Sequence, residues 1–321
     1  MTHLEDIMVS LDEISIIPEI TTEVESRSEV VPYYGDKLPI FVAPMTCIID
    51  SSNIELFNNS KVTPILPRGN KWNKNTDYWI ALSLKEFEEH LNKRTLPKKV
   101  LIDVANGHMT KIYALAERCK EKMPEVQLMV GNIANPYIYK TCCDLGIDYV
   151  RVGIGGGSAC STSALTGVHA SLPWLLSKIN KIKLTYDNPT KVIADGGINT
   201  IDKAIKCLAL GADYVMMGKL FAQCEEACGK TYDINGCMMR DYYGMASVRG
   251  AKDLGKKVTE LTAEGIGKLV PVTNTLNNLT NRIEASLRSA MSYCNAPSLA
   301  FFIGGPQILI QTINEFKSYY K

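Results

Sequence analysis

Short, wholly apolar runs recur along the chain and alternate with stretches whose apolar residues return every three or four positions. The runs are Leu38–Met45, Val62–Leu66, Trp79–Leu84, Lys99–Asn106, Val126–Ile133, Tyr149–Gly155, Lys191–Gly197 and Tyr214–Gly218. Their length suits strands, and their uniform apolarity suits parallel strands with both faces covered. Between them Lys85–Lys93, Thr110–Lys122, Tyr137–Leu145, Pro173–Lys183 and Thr200–Leu210 read as amphipathic helices. Asn199 reads as the cap of the last helix and Gly211 as its stop. Ser51–Asn59 is a weaker helical pattern. Eight strand units predict a closed (β/α)8 barrel rather than an open sheet, and 321 residues are enough for one. The expected organisation is one domain over 1–321. Residues 1–37 form an N-terminal segment, and 219–321 hold the last βα unit, a mobile loop and a C-terminal extension. No internal repeat or linker interrupts the chain.

Charge narrows the partners. Lys and Arg number 35 against 34 Asp and Glu, a formal charge of +1, so neither a nucleic-acid surface nor a polybasic membrane patch is expected. A hydrophobic content of 46% is ample for a core. No apolar run approaches the ~20 residues of a membrane span, and the acidic N-terminus lacks the apolar core of a signal peptide. Ten cysteines in such a chain point to a reducing compartment, hence a cytoplasmic protein. With no CxxC pair, a zinc site or disulfide framework is not expected.

The densest chemistry lies in RVGIGGGSACSTSALTGV, residues 151–168. A strand enters a loop with glycines at 153, 155, 156 and 157, followed by Ser158, Cys160, Ser161 and Thr162. Glycines let backbone N–H groups approach an anion. A thiol just beyond them, beside hydroxyls, suits covalent attack on an electrophilic carbon. A barrel makes a further demand: working residues should sit at strand C-termini. Met45, Asp103 with Asn106-Gly107-His108, Gly131-Asn132, Asp195-Gly196-Gly197 and Gly218 all do. Asp103 and Asp195 end apolar strands, where an unpaired carboxylate would be costly.

The chain resembles the IMP dehydrogenase/GMP reductase family over nearly its whole length. LPIFVAPM (38–45), LIDVANGH (101–108), VGNI (130–133), VRVGIGGGSACST (150–162), VIADGGI (192–198), ADYVMMG (212–218), YYGMAS (242–247), AEGI (263–266) and LRSAMSYCNA (287–296) carry the likeness. The resemblance implies the same barrel, and a Cys160 thiolate that attacks C2 of a purine mononucleotide while hydride moves between C2 and a nicotinamide. It implies Thr162 and Glu264 as proton carriers. Ser158, Gly196, Gly197, Gly218 and Tyr242 would hold the 5′-phosphate, and Asp195 the ribose hydroxyls. Met245 and Ala246 would read the base. Asp103, Ala105, Asn106 and Gly107 would face the cofactor, and the carbonyls of Gly155, Gly157 and Cys160 a monovalent cation such as K+, although Gly156 stands where the family commonly has proline. A homotetramer is implied too.

Two reactions compete within that family. Dehydrogenases usually carry regulatory modules between early strands and a flap bearing an Arg-Tyr pair that activates water. Helix 109–123 and its neighbours leave no room for the modules. Between Met245 and Glu264 lies a short basic loop without Arg-Tyr, so the length matches a GMP reductase using NADPH. Arg249 and the AEGIGKLVPV run resemble dehydrogenases, which convert IMP to XMP with NAD. The pattern departs from the usual reductase at Ile65-Leu66-Pro67-Arg68, at Thr46 and at Leu261. Arg68 is a candidate phosphate ligand there. A purine-nucleotide binding protein of the same fold is the non-enzyme alternative.

Overall fold

Eight parallel strands close on themselves, each hydrogen-bonded to its neighbours in chain order and the last to the first. The computed structural model describes residues 8–157, 162–255, 263 and 265–311. The barrel strands are β1 (Ile40–Val42), β2 (Thr63–Leu66), β3 (Trp79–Leu82), β4 (Lys99–Asp103), β5 (Gln127–Ile133), β6 (Tyr149–Val152), β7 (Lys191–Asp195) and β8 (Tyr214–Met217). Every predicted strand is present. Closure is direct: Ile40, Phe41 and Val42 pair with Val215, Met216 and Met217.

The helices follow the predicted pattern, with boundaries set by local chemistry. Leu84–Lys93 starts at Ser83, whose hydroxyl accepts from the Glu86 N–H while the Glu86 carboxylate accepts from the Ser83 N–H, a reciprocal capping box. Leu172–Lys183 starts at Ser171 with Pro173 in its first turn. The weak pattern at 51–59 yields only Ile54–Asn58, and the chain between Leu66 and Trp79 forms no helix. One expectation is corrected. Thr200, not Asn199, is the N-cap of Ile201–Ala209, because extended backbone continues one residue further than the pattern suggested. That frees Asn199 to face the barrel mouth.

Two helix-to-strand turns use the same device. Asp148 accepts from the Leu128 N–H at 2.7 Å and from Lys120, and Asp213 accepts from the Val192 N–H at 2.8 Å and from Lys183 at 2.7 Å. Each carboxylate thereby ties a strand start to its neighbour and to the helix that leads into that neighbour. Inside the barrel Phe41, Trp79, Tyr149 and Tyr214 meet edge-to-face or tilted, and Tyr34 of the N-terminal segment stacks on Tyr214 at 4.9 Å. This aromatic layer closes the barrel below the level of the candidate residues. Outside it, Ile14–Ile16 pairs with Ile308–Ile310. A three-stranded ribbon, β9 (Thr231–Ile234), β10 (Cys237–Tyr243) and β11 (Gly267–Pro271), rises beside the mouth. Among the described residues, no helix is long and apolar enough to cross a membrane.

Candidate active site

A cleft at the C-terminal end of the strands gathers Met45, Arg68, Asp103, Asn132, Arg151, Asp195, Gly218, Tyr242, Met245 and Ala246. It encloses about 1030 Å³ including its open mouth. The barrel explains why. Asp103 and Asp195 are the last residues of β4 and β7, and strand direction delivers both to one rim.

The two carboxylates share one cation. Arg151, on β6 between them and 8% exposed, donates from one terminal nitrogen to Asp103 Oδ1 at 2.7 Å and from the other to Asp195 Oδ2 at 2.8 Å. Its Nε donates to the same Asp195 oxygen at 3.2 Å, and the Asn132 amide adds a third donor to that oxygen at 2.8 Å. Burial works against the Arg151 charge, yet Asp195 and Asp103 outweigh it and hold its pKa above the ordinary guanidinium value. Among the described residues this leaves Asp195 Oδ2 saturated and Oδ1 without a donor. One Asp195 oxygen is thus open to a ligand. Arg151 was quoted in the sequence motif without a role. An arginine inside an apolar strand, between strands that end in aspartate, was the signal.

Close approach of backbone makes the arrangement possible. Gly131 has φ +149°, and a Cβ there would fall 2.5 Å from Arg151 Cβ. Gly153, with φ +129°, lies against the Asp195 carbonyl where a Cβ would overlap it. Side chains at either position would push β6 away from its neighbours.

Arg68 lines the cleft and turns toward Asp103. Its Nε lies 3.0 Å from Asp103 Oδ2, but off the N–H direction, so the buried Nε–H lacks an aligned acceptor. Asn199 also lines the cleft, beside Gly196 and Gly197, with its Oδ1 buried and unpartnered. Two polar atoms thus point to unmet hydrogen bonds at the cleft wall.

Near Gly218 a Cβ would sit 3.2 Å from the Tyr242 hydroxyl and 3.0 Å from Met45 Sδ, so strand β8 meets the ribbon and the first strand here. A second cavity shares Ala105 with the cleft and extends past Asn106, His108 and His169. His108 Nε2 accepts from the Ala134 N–H at 3.0 Å, and burial lowers its pKa, which suits a neutral ring held as an acceptor. Gly107 does not line either cavity; its N–H donates to Asn132 O at 2.8 Å. The Gly155 carbonyl, a candidate cation ligand, accepts from the Ser163 hydroxyl at 3.0 Å, and Gly157 lines the cleft. Arg249 is absent from the cleft wall and pairs with Asp241 of the ribbon. Ser158, Cys160 and Glu264 lie outside the described residues, as does Leu261. Thr162 opens the helix Thr162–Thr166. Among the described residues, no group of three or more His, Cys, Asp or Glu could hold a metal ion.

A barrel whose rim carries paired carboxylates, a shared arginine and a glycine loop defines a small-molecule enzyme of the (β/α)8 class. A profile of the IMP dehydrogenase / GMP reductase domain matches residues 90–314, and the chain belongs to that family of oxidoreductases. It is 29% identical over 308 residues to the GMP reductase of Streptococcus agalactiae serotype III, covering 90% of each chain. It is 33% identical over 211 residues to the inosine-5′-monophosphate dehydrogenase of Chlorobaculum parvum, covering 62% of this chain and 42% of the relative. The corresponding dehydrogenase of Nitrosopumilus maritimus is 31% identical over 210 residues, with 44% of its length covered. The chain thus spans less than half the length of these dehydrogenases.

Proposed function

We propose that the protein is a GMP reductase, converting GMP to IMP and ammonia at the expense of NADPH. The observation that carries the choice is Arg249. A dehydrogenase needs an arginine near C2 to activate water, and the one arginine in this loop is held by Asp241 outside the cleft. The span of Asp103 to Thr110, which joins strand β4 directly to its helix, adds support, since it carries no inserted module.

The chemistry follows from the residues. Cys160 thiolate adds to C2 of GMP, and the C2–N bond breaks as Thr162 and Glu264 deliver protons to the departing amine, leaving a C2–S thioimidate. The nicotinamide, when bound, supplies hydride to C2. The C2–S bond then breaks, and Cys160 recovers its thiolate. Asp195 accepts a ribose hydroxyl through Oδ1, while Arg151 and Asn132 hold its other oxygen and keep the carboxylate aimed. Gly196, Gly197, Gly218, Tyr242 and Ser158 surround the phosphate. Met245 and Ala246 lie against the base. Asp103, Ala105 and Asn106 would hold the cofactor, and Gly107 would support them through its bond to Asn132. The unaligned Arg68 Nε–H and the second cavity that opens from Ala105 fit a ligand larger than one mononucleotide. The Gly155, Gly157 and Cys160 carbonyls remain the proposed place for K+, and a homotetramer the proposed assembly.

The second reading, IMP dehydrogenase with NAD, is favoured by the identity to the Chlorobaculum enzyme. A coupled assay separates them. GMP plus NADPH should yield NADP and ammonia in equal amounts, with IMP as product. Conversion of IMP to XMP with NAD, and indifference to GMP, would overturn the assignment and return Arg249 to candidacy for water activation. Nucleotide binding without turnover in either direction would leave only a binding protein.

A further inference from the structure

The segment 244–255 lies over the cleft and contributes Gly244, Met245 and Ala246 to its wall. Its helix, Val248–Asp253, has six residues, too few to stand alone in water. Ser247 caps it, accepting from the Gly250 N–H at 3.1 Å, and Gly250 packs so closely on Gly244 and Met245 that a Cβ would fall 2.6 Å from the Gly244 carbonyl. Turn and helix therefore move as one piece. Two contacts hold that piece: Arg249 pairs with Asp241 of the ribbon, and a second contact lies at the far end of the helix. Asp253 Oδ2 accepts from the Thr46 hydroxyl at 2.6 Å and from the Tyr243 phenol at 2.8 Å. Leu254 completes the seat against the loop after β2, its Cδ2 3.3 Å from where a Gly69 Cβ would stand.

Two further facts bear on the role of this carboxylate. An aspartate in the last turn of a helix opposes the helix dipole, so Asp253 does not serve its own helix. Its two donors also adjoin cleft residues: Thr46 follows Met45, and Tyr243 follows Tyr242. One oxygen thus links the loop after the first barrel strand, the ribbon and the covering segment.

We propose that Asp253 is a positioning residue for the substrate base, latching segment 244–255 to Thr46 and Tyr243 so that Met245 and Ala246 stand at a set distance from the reacting carbon. This rests on the reductase reading for the identity of the base; the latch itself does not.

Two measurements test it. Without any nucleotide, trypsin cleavage after Arg249 should be about tenfold faster in Asp253→Ala than in the parent. With GMP and NADPH, the same variant should raise the KM for GMP roughly 3- to 30-fold, the reach of one or two charge-assisted hydrogen bonds at a partly solvated site. The KM for NADPH should stay within about twofold. Thr46→Asp should reproduce the defect by placing two carboxylates against each other, and Thr46→Asp combined with Asp253→Thr should restore both readouts, because donor and acceptor are then exchanged. A purely structural role would instead lower kcat or raise both KM values together. Parent-like cleavage and KM in Asp253→Ala, or a double variant as defective as either single one, would overturn the proposal. If the parent turns over no GMP, the functional reading fails by itself, and the cleavage rates with the exchange variant still decide the latch.

Discussion

Arg151 donates to Asp103 at 2.7 Å and to Asp195 at 2.8 Å, so one buried guanidinium joins the residue proposed to face the cofactor to the residue proposed to hold the ribose. The planar fork suits this, since it can present separate N–H groups to two carboxylates at once. A lysine at the same position would present a single nitrogen and lose the two-point geometry.

Arg151→Met should therefore leave two carboxylates in the cleft wall without their cation and cost roughly 3–5 kcal/mol of stability. Combining Arg151→Met with Asp103→Asn should recover part of that loss, because one buried charge is removed with its partner. Urea unfolding measures both. An Arg151→Met protein within about 1 kcal/mol of the parent would show that the cleft wall solvates the carboxylates without help.

Cys160 carries the covalent step in the proposed chemistry, while phosphate, ribose and base are held by other groups. Cys160→Ala should lose turnover entirely and keep the affinity for GMP within about threefold. Mass spectrometry after treatment with a purine nucleotide bearing a leaving group on the ring should place the adduct on the peptide holding Cys160. Turnover in the Ala variant, or labelling confined to another cysteine, would remove Cys160 from the mechanism. Several competitors are poor candidates: burial pushes Cys47 up to about 11 and both Cys224 and Cys228 up to about 12, away from the reactive thiolate.

A pH effect arises far from the cleft. Glu284, on the helix Leu276–Tyr293, meets Lys61 at 2.6 Å and Arg288 at 3.0 Å. Burial acts to raise its pKa, but hydrogen bonds from Lys61, Tyr33 and Arg288 win and lower it to about 2. With an unfolded value of about 4.3, the stability it contributes is fully present well above that pH and is lost as pH falls through the folded value. Glu284→Gln should cost roughly 1–3 kcal/mol at pH 7, and about half of that difference should remain at pH 3. Denaturant midpoints at the two pH values check this. A difference that is unchanged or larger at pH 3 would mean that the ion pairs do not set the linkage.

The strand count and the side of the barrel that works were legible in the chain because both follow from local rules. A strand buried on both faces must be apolar throughout, and a parallel barrel sends every strand end to one rim. Asp103, Asp195 and Gly218 could be placed there by counting alone. Helix ends were legible within a residue or so, and the miss at Asn199 shows the limit. A cap is chosen by backbone direction, which here belongs to the neighbouring strand. Other features depended on residues far apart in sequence and were not visible. That Arg151 pairs with Asp103 and Asp195, 48 and 44 residues away, is decided by barrel closure, which sets β6 beside the polar ends of its neighbours. That Arg68 turns toward Asp103 rather than toward solvent, and that Arg249 turns toward Asp241, likewise depends on which charge is nearest once the chain has folded. Periodicity and composition register how often a residue type recurs, and an ion pair depends on distance, which only the tertiary structure determines.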